Sequence, residues 1–188
     1  MVRCFQYLLI ISTIALSWLG MMIVHELGHV FHSWMSGGVV ARVELHPLSF
    51  SRTDLSRNPH PMFVAWGGAI WGCMIPLCLL PAVGLLARTC TYLAAFFCGF
   101  CLIANGAYLA AGSFIRAGDA GDLLRAGASQ WQLMLFGIPA LTIGLWLWNG
   151  LGPHFGLGQS AGRVDRRAAL GVAAALIIVV VAELVLSA

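Results

Sequence analysis

Residues Phe5 to Phe31 read FQYLLIISTIALSWLGMMIVHELGHVF, an apolar run that passes without a break into two histidines and a glutamate. A helix needs about 20 such residues to cross a hydrocarbon core, and in lipid only a helix or a closed barrel satisfies its own backbone. The run is too long for the apolar part of a signal peptide, and no small-x-small site ends it. It is therefore expected to be a retained transmembrane helix.

Four further apolar segments follow, at about 62–87, 91–112, 131–149 and 168–186. With the first, at about 5–31, they predict an all-α polytopic membrane protein of about five spans, in one domain. The composition agrees: 60% of the 188 residues are hydrophobic and 9% are charged, where soluble domains carry about a quarter. Five spans and their loops leave no room for a separate soluble domain. Pro76 and Pro81 predict a kinked or broken second helix. Trp34, Trp66, Trp131, Trp146 and Trp148 fall near segment ends, where amphipathic rings favour the interface. The net charge of +3 is spread along the chain without a basic run, so nucleic acid is not an expected partner. Arg3, Arg88, Arg163, Arg166 and Arg167 fall on one side, and Arg42, Arg52, Arg57, Arg116 and Arg125 on the other. Arginine counting thus leaves orientation open. The six cysteines sit mostly inside apolar segments and do not read as a disulfide framework. Cys98-x-x-Cys101 lacks a second ligand pair at zinc-ribbon spacing.

Between the first two segments, Gly37-Gly38 leads into Ala41-Arg42-Val43-Glu44-Leu45-His46, where apolar and polar residues alternate. That is the period of a half-exposed strand. Pro47 and the polar stretch after it end the strand and predict a membrane-associated hairpin or loop. Gly150 to Gly162 is glycine-rich and reads as a flexible loop.

His25-Glu26-Leu27-Gly28-His29 is an H-E-x-x-H. On a helix, positions four apart share a face, so both imidazoles reach one ion, and Glu26 is placed to act as general base on a water there. Ionisable groups at the end of an apolar helix are costly and point to function. The bland alternative is a wetted interfacial cluster. His32 shares roughly the same face and is expected at the interface or behind the ligands. Catalytic zinc needs a third protein ligand and one open position. Asp119 and Asp122, in Gly118-Asp119-Ala120-Gly121-Asp122-Leu123-Leu124, are the acids that stand out, and at least one is expected to cap a helix. Asp165 sits among arginines and predicts an ion-pair cluster. Glu183, near the end of the last span, is expected to reach the interface.

Taken together, the membrane-embedded His25-Glu26-Leu27-Gly28-His29, Gly37-Gly38 and the later aspartate motif resemble the site-2 protease family of intramembrane zinc metallopeptidases. The resemblance implies His25 and His29 as zinc ligands and Glu26 as the catalytic acid–base. It selects Asp119 as third ligand, since Asp119-Ala120 followed by Leu123 aligns best with the family's D-G-x-x-L. Asp122 is the runner-up. The chain departs from the pattern at Gly118 and Ala120 and lacks the family's proline-rich lead-in; Asn105 stands in for its asparagine at a longer spacing. Asn105 is then expected at the substrate, or as a polar group bonding between helices. An edge strand near the zinc is also implied, so that Val43 and its neighbours would pair with an unwound substrate by strand addition. The alternative there is a plain amphipathic loop.

The expected activity is hydrolysis of peptide bonds in membrane-spanning proteins or peptides, in a multi-pass protein whose site faces the cytoplasmic leaflet. Lipid is a necessary partner, and regulatory membrane proteins are possible ones. Two rivals remain. A non-catalytic scaffold or chaperone of the same fold has no chemical need for Glu26. A metal or haem carrier would want histidines on facing helices, and no other apolar segment holds one.

Overall fold

The structure, a computed structural model, describes residues 2–187. In chain order the elements are α1 (Val2–Met35), the strands β1 (Val39–Glu44) and β2 (Arg52–Arg57), α2 (Pro61–Leu86), α3 (Thr91–Ile115), α4 (Gly118–Arg125), α5 (Gln130–Trp148) and α6 (Arg166–Leu186). Of the helices, all but α4 are long and apolar enough to cross a membrane; the span at α3 includes the 3-10 turn that precedes it.

The apolar pattern is turned outward. Ile11, Ile177, Ile178 and Val185 are each more than 60% exposed, whereas Gln6, Ser12, Thr13, Ser17, His25, Glu26, His29, His32 and Ser33 are buried along α1. Their three- and four-residue spacing places most of them on one inward stripe of that helix.

Small residues set the helix crossings. A Cβ on Gly28 would lie 2.2 Å from the Gly67 carbonyl oxygen, and one on Gly67 2.4 Å from that of Gly28, so α1 and α2 touch backbone to backbone. α3 and α5 meet in the same way through Gly106 and Gly137. Of the kinked or broken helix expected from Pro76 and Pro81, the break does not occur: α2 runs on through both prolines. Proline removes one backbone bond from such a helix, and packing neighbours make the loss tolerable.

β1 and β2 form a two-stranded antiparallel sheet with Val43 opposite Thr53 and irregular pairing around Val40. The first strand and the hairpin follow expectation. The second strand, from a polar stretch read as part of the turn or loop, is an addition. Phe50, in the connection, packs edge-on against Trp18 at 5.9 Å between ring centroids, which lays the connection along α1.

α3 ends at Arg116, the one described non-glycine residue with positive φ (55°), and Gly118 follows at φ +54°. This reversal folds the short α4 back, and Ala120 and Leu123 are fully buried in a core with Ala65, Ala69, Leu109 and Leu133. Asp119, one turn before Leu123 and so at the border of that face, is carried against His25 and His29 of α1.

Two acids depart from expectation. Asp165 caps α6 by accepting the Arg167 backbone N–H at 2.8 Å, rather than joining an ion-pair cluster. Glu183 is buried, and among the described residues neither of its carboxylate oxygens has a hydrogen-bond partner.

Candidate metal centre

His25 and His29 lie one turn apart on α1, where it crosses α2. Their Nε2 atoms are 3.1 Å from each other. Asp119, delivered by α4, places Oδ2 2.8 Å from His25 Nε2 and 3.3 Å from His29 Nε2. Donors bound to a tetrahedral zinc at about 2.0–2.1 Å sit roughly 3.3 Å apart, so this spacing suits a shared ion. Among the described residues, this is the one group of three His, Cys, Asp or Glu side chains close enough to hold one.

Ring orientation supports the same use. The His29 Nδ1–H donates to the Val64 carbonyl at 2.8 Å. His25 Nδ1 lies 2.7 Å from Asn105 Oδ1, while the Asn105 amide nitrogen donates to the Cys101 carbonyl at 2.9 Å. That second bond turns the Asn105 oxygen toward His25, so His25 Nδ1 is the donor. With Nδ1 protonated in both neutral rings, both Nε2 lone pairs converge on one point, as metal-ligating histidines require. Two facing lone pairs at this distance repel unless a cation stands between them.

Space is left for it by Gly68 of α2. A Cβ there would lie 2.4 Å from His29 Nε2 and 2.5 Å from His25 Nε2. Any side chain would fill the volume an ion needs. Burial raises the Asp119 carboxyl, but when the imidazoles are protonated their hydrogen bonds and charge outweigh it and hold Asp119 well below the ordinary carboxylate range, and a cation in their place would act in the same sense. It is an anionic donor at neutral pH.

Glu26 is 3% exposed, and both its oxygens are engaged from the hairpin. Ser51 Oγ donates to Oε1 at 2.7 Å, and Thr53 Oγ1 to Oε2 at 2.6 Å. A cavity of about 1140 Å³ opens over the cluster and is lined by His25, Glu26, His29, Asp119 and the β2 residues Arg52 to Leu55. Water and an extended peptide both fit such a volume.

Of the residues singled out in the sequence, His25, Glu26, His29, Asp119 and Asn105 thus converge on one cavity. Asp122 lines its rim but pairs with Arg125 and stays out of the cluster. His32 donates through Nδ1 to the Phe63 carbonyl at 2.6 Å and stacks on the Phe63 ring, and it is not among the donors that converge. Val43 is absent from the cavity lining and connects to it through its partner Thr53. Cys98 and Cys101 are buried free thiols apart from the cluster. The sequence reading missed Ser51, Thr53, Gly68 and Tyr108. A Gly-Gly pair inside an apolar span was the available signal for Gly68, and the two hydroxyls gave none beyond their polarity.

In comparisons with known proteins, no family model, no curated protein and no solved structure matches the chain.

Proposed function

We propose that the chain is an intramembrane zinc metallopeptidase that hydrolyses peptide bonds of membrane-spanning substrates. The observation that carries this reading is the convergence of His25 Nε2, His29 Nε2 and Asp119 Oδ2 within 4.8 Å of one another, beside a glutamate lining the same cavity. Three protein donors with an open position is the arrangement of catalytic zinc, as distinct from the closed four-ligand sets of structural zinc. A two-histidine, one-carboxylate set also suits non-haem iron. The adjoining carboxylate favours hydrolysis, because an iron oxygenase has no step that requires it.

When bound, the ion supplies Lewis acidity, polarising the scissile carbonyl and making water acidic enough to lose a proton near neutral pH. Asn105 and the Val64 carbonyl orient the two imidazoles. Glu26, its carboxylate steadied by Ser51 and Thr53, accepts the proton of the attacking water and returns it to the leaving amine. β2 borders the cavity and belongs to a sheet of only two strands, which leaves it one unpaired edge. We assign to that edge the pairing with unwound substrate, with Val43 bracing it from β1.

The membrane setting rests on five long apolar helices that face apolar side chains outward and a polar stripe inward. In lipid this is the low-energy arrangement, since the outer face has no water to avoid. The test is to purify the protein in detergent, quantify bound metal and incubate it with transmembrane model peptides. Zinc at one per chain with cleavage abolished in Glu26→Gln supports the peptidase. Cleavage-inactive wild type with zinc in place supports the scaffold.

A further inference from the structure

We propose that Tyr108 is a further catalytic residue, whose phenol O–H donates to the scissile carbonyl oxygen as that oxygen gains negative charge. This rests on the peptidase reading above.

Tyr108 lies three residues after Asn105 on α3, so both project toward α1 and the cluster. Its ring stands edge-on to the His25 ring at 6.1 Å between centroids. The phenol oxygen accepts the Asp119 backbone N–H at 3.1 Å. That places the hydroxyl against the backbone of Asp119, at the start of α4. Gly118, held at φ +54°, makes this possible: a Cβ there would lie 1.7 Å from the phenol oxygen.

The bond to Asp119 uses the hydroxyl as an acceptor. Its own proton is then free to donate, and among the described residues no acceptor takes it. Tyr108 also lines the cavity. Of the two non-ligand donors that touch the cluster, Asn105 has both ends of its amide engaged, on His25 and on the Cys101 carbonyl. Tyr108 alone of the pair retains a proton facing the space where a substrate carbonyl must sit. Hydrolysis adds water across the amide and leaves the carbonyl oxygen transiently negative. A preorganised donor aimed at that oxygen lowers the barrier without gaining or losing a proton itself.

The test compares wild type with Tyr108→Phe, which keeps the ring and removes the donor. Three quantities are read: bound zinc per chain, kcat and KM on a transmembrane peptide, and the Kd of the same peptide carrying a phosphinate at the scissile position. The expected result is unchanged zinc, kcat lower by about 100-fold with KM nearly constant, and phosphinate affinity weakened by a comparable factor. Equal kcat in the two proteins overturns the inference while leaving the peptidase intact. So does loss of zinc from Tyr108→Phe, since the hydroxyl would then serve only to hold the Asp119 turn. A wild type that retains zinc and cleaves no membrane peptide sinks both.

Discussion

Asn105 Oδ1 accepts the Nδ1–H of His25 at 2.7 Å, eighty positions away in the chain, and its amide nitrogen is tied to its own helix at the Cys101 carbonyl. The contact fixes both the tautomer and the tilt of the first imidazole. Replacing such an outer partner of a metal-ligating histidine costs about 10–100-fold in metal affinity. Asn105→Ala is therefore expected to weaken zinc binding by that factor, measured by competition with a chromophoric chelator. Unchanged affinity would show that packing alone holds His25.

The two candidate aspartates separate cleanly. Asp119→Asn is expected to leave the purified protein largely free of zinc, because a neutral amide replaces the one anionic donor. Asp122→Asn should retain full occupancy, as Asp122 is engaged with Arg125 at the rim. Metal analysis of both proteins decides the point.

Gly68→Ala puts a methyl group where the ion has to sit, 2.4 Å from His29 Nε2 and 2.5 Å from His25 Nε2. We expect loss of both zinc and cleavage from a single added carbon. Zinc bound at wild-type affinity in this variant would mean that α1 and α2 separate readily, against their close contact at Gly28 and Gly67.

Acidification should strip the metal before it disturbs the fold. Protons compete with the ion for the two imidazoles, so zinc is expected to leave as the solution is acidified, before pH reaches about 4. The depressed Asp119 carboxyl works on a different range. Its folded-state pKa lies below the unfolded value, so its contribution to stability is present above about 3.9 and is lost as pH falls further toward the lowered value. Metal content and thermal stability followed together from pH about 8 to 4 should therefore part company. A single joint transition would contradict this ordering.

Losing one hairpin hydroxyl leaves Glu26 less well fixed. Thr53→Val is expected to keep zinc, since neither Thr53 nor Glu26 belongs to the ligand set, and to lower kcat by about 10-fold, within the range general-base catalysis contributes. Thr53→Ser, which restores the donor, should recover most of the rate. Zinc loss in Thr53→Val would show instead that the hairpin shapes the ligand cluster.

The parts of this site legible in the sequence are those encoded within one turn or one period. His25, Glu26 and His29 declare themselves because a helix turns an i, i+4 spacing into proximity, and the long helices show as apolar runs. Asp119 needed the resemblance, because α4 docks on a face set by Ala120 and Leu123 and nothing local says which acid then points at α1. β2 was hidden for another reason. Arg52 to Arg57 offers Leu55 as its one large apolar side chain, so the period of two had almost nothing to mark it. The continuity of α2 through two prolines, and the burial of Glu183, depend on what neighbouring helices supply.

Both oxygens of Glu26 are gripped by a hairpin that also walls the cavity, and this ties readiness to admission. No chain can shift β2 on its way in without tugging the two hydroxyls that aim the carboxylate. On the peptidase reading, arrival of a substrate would thereby be felt mechanically at Glu26.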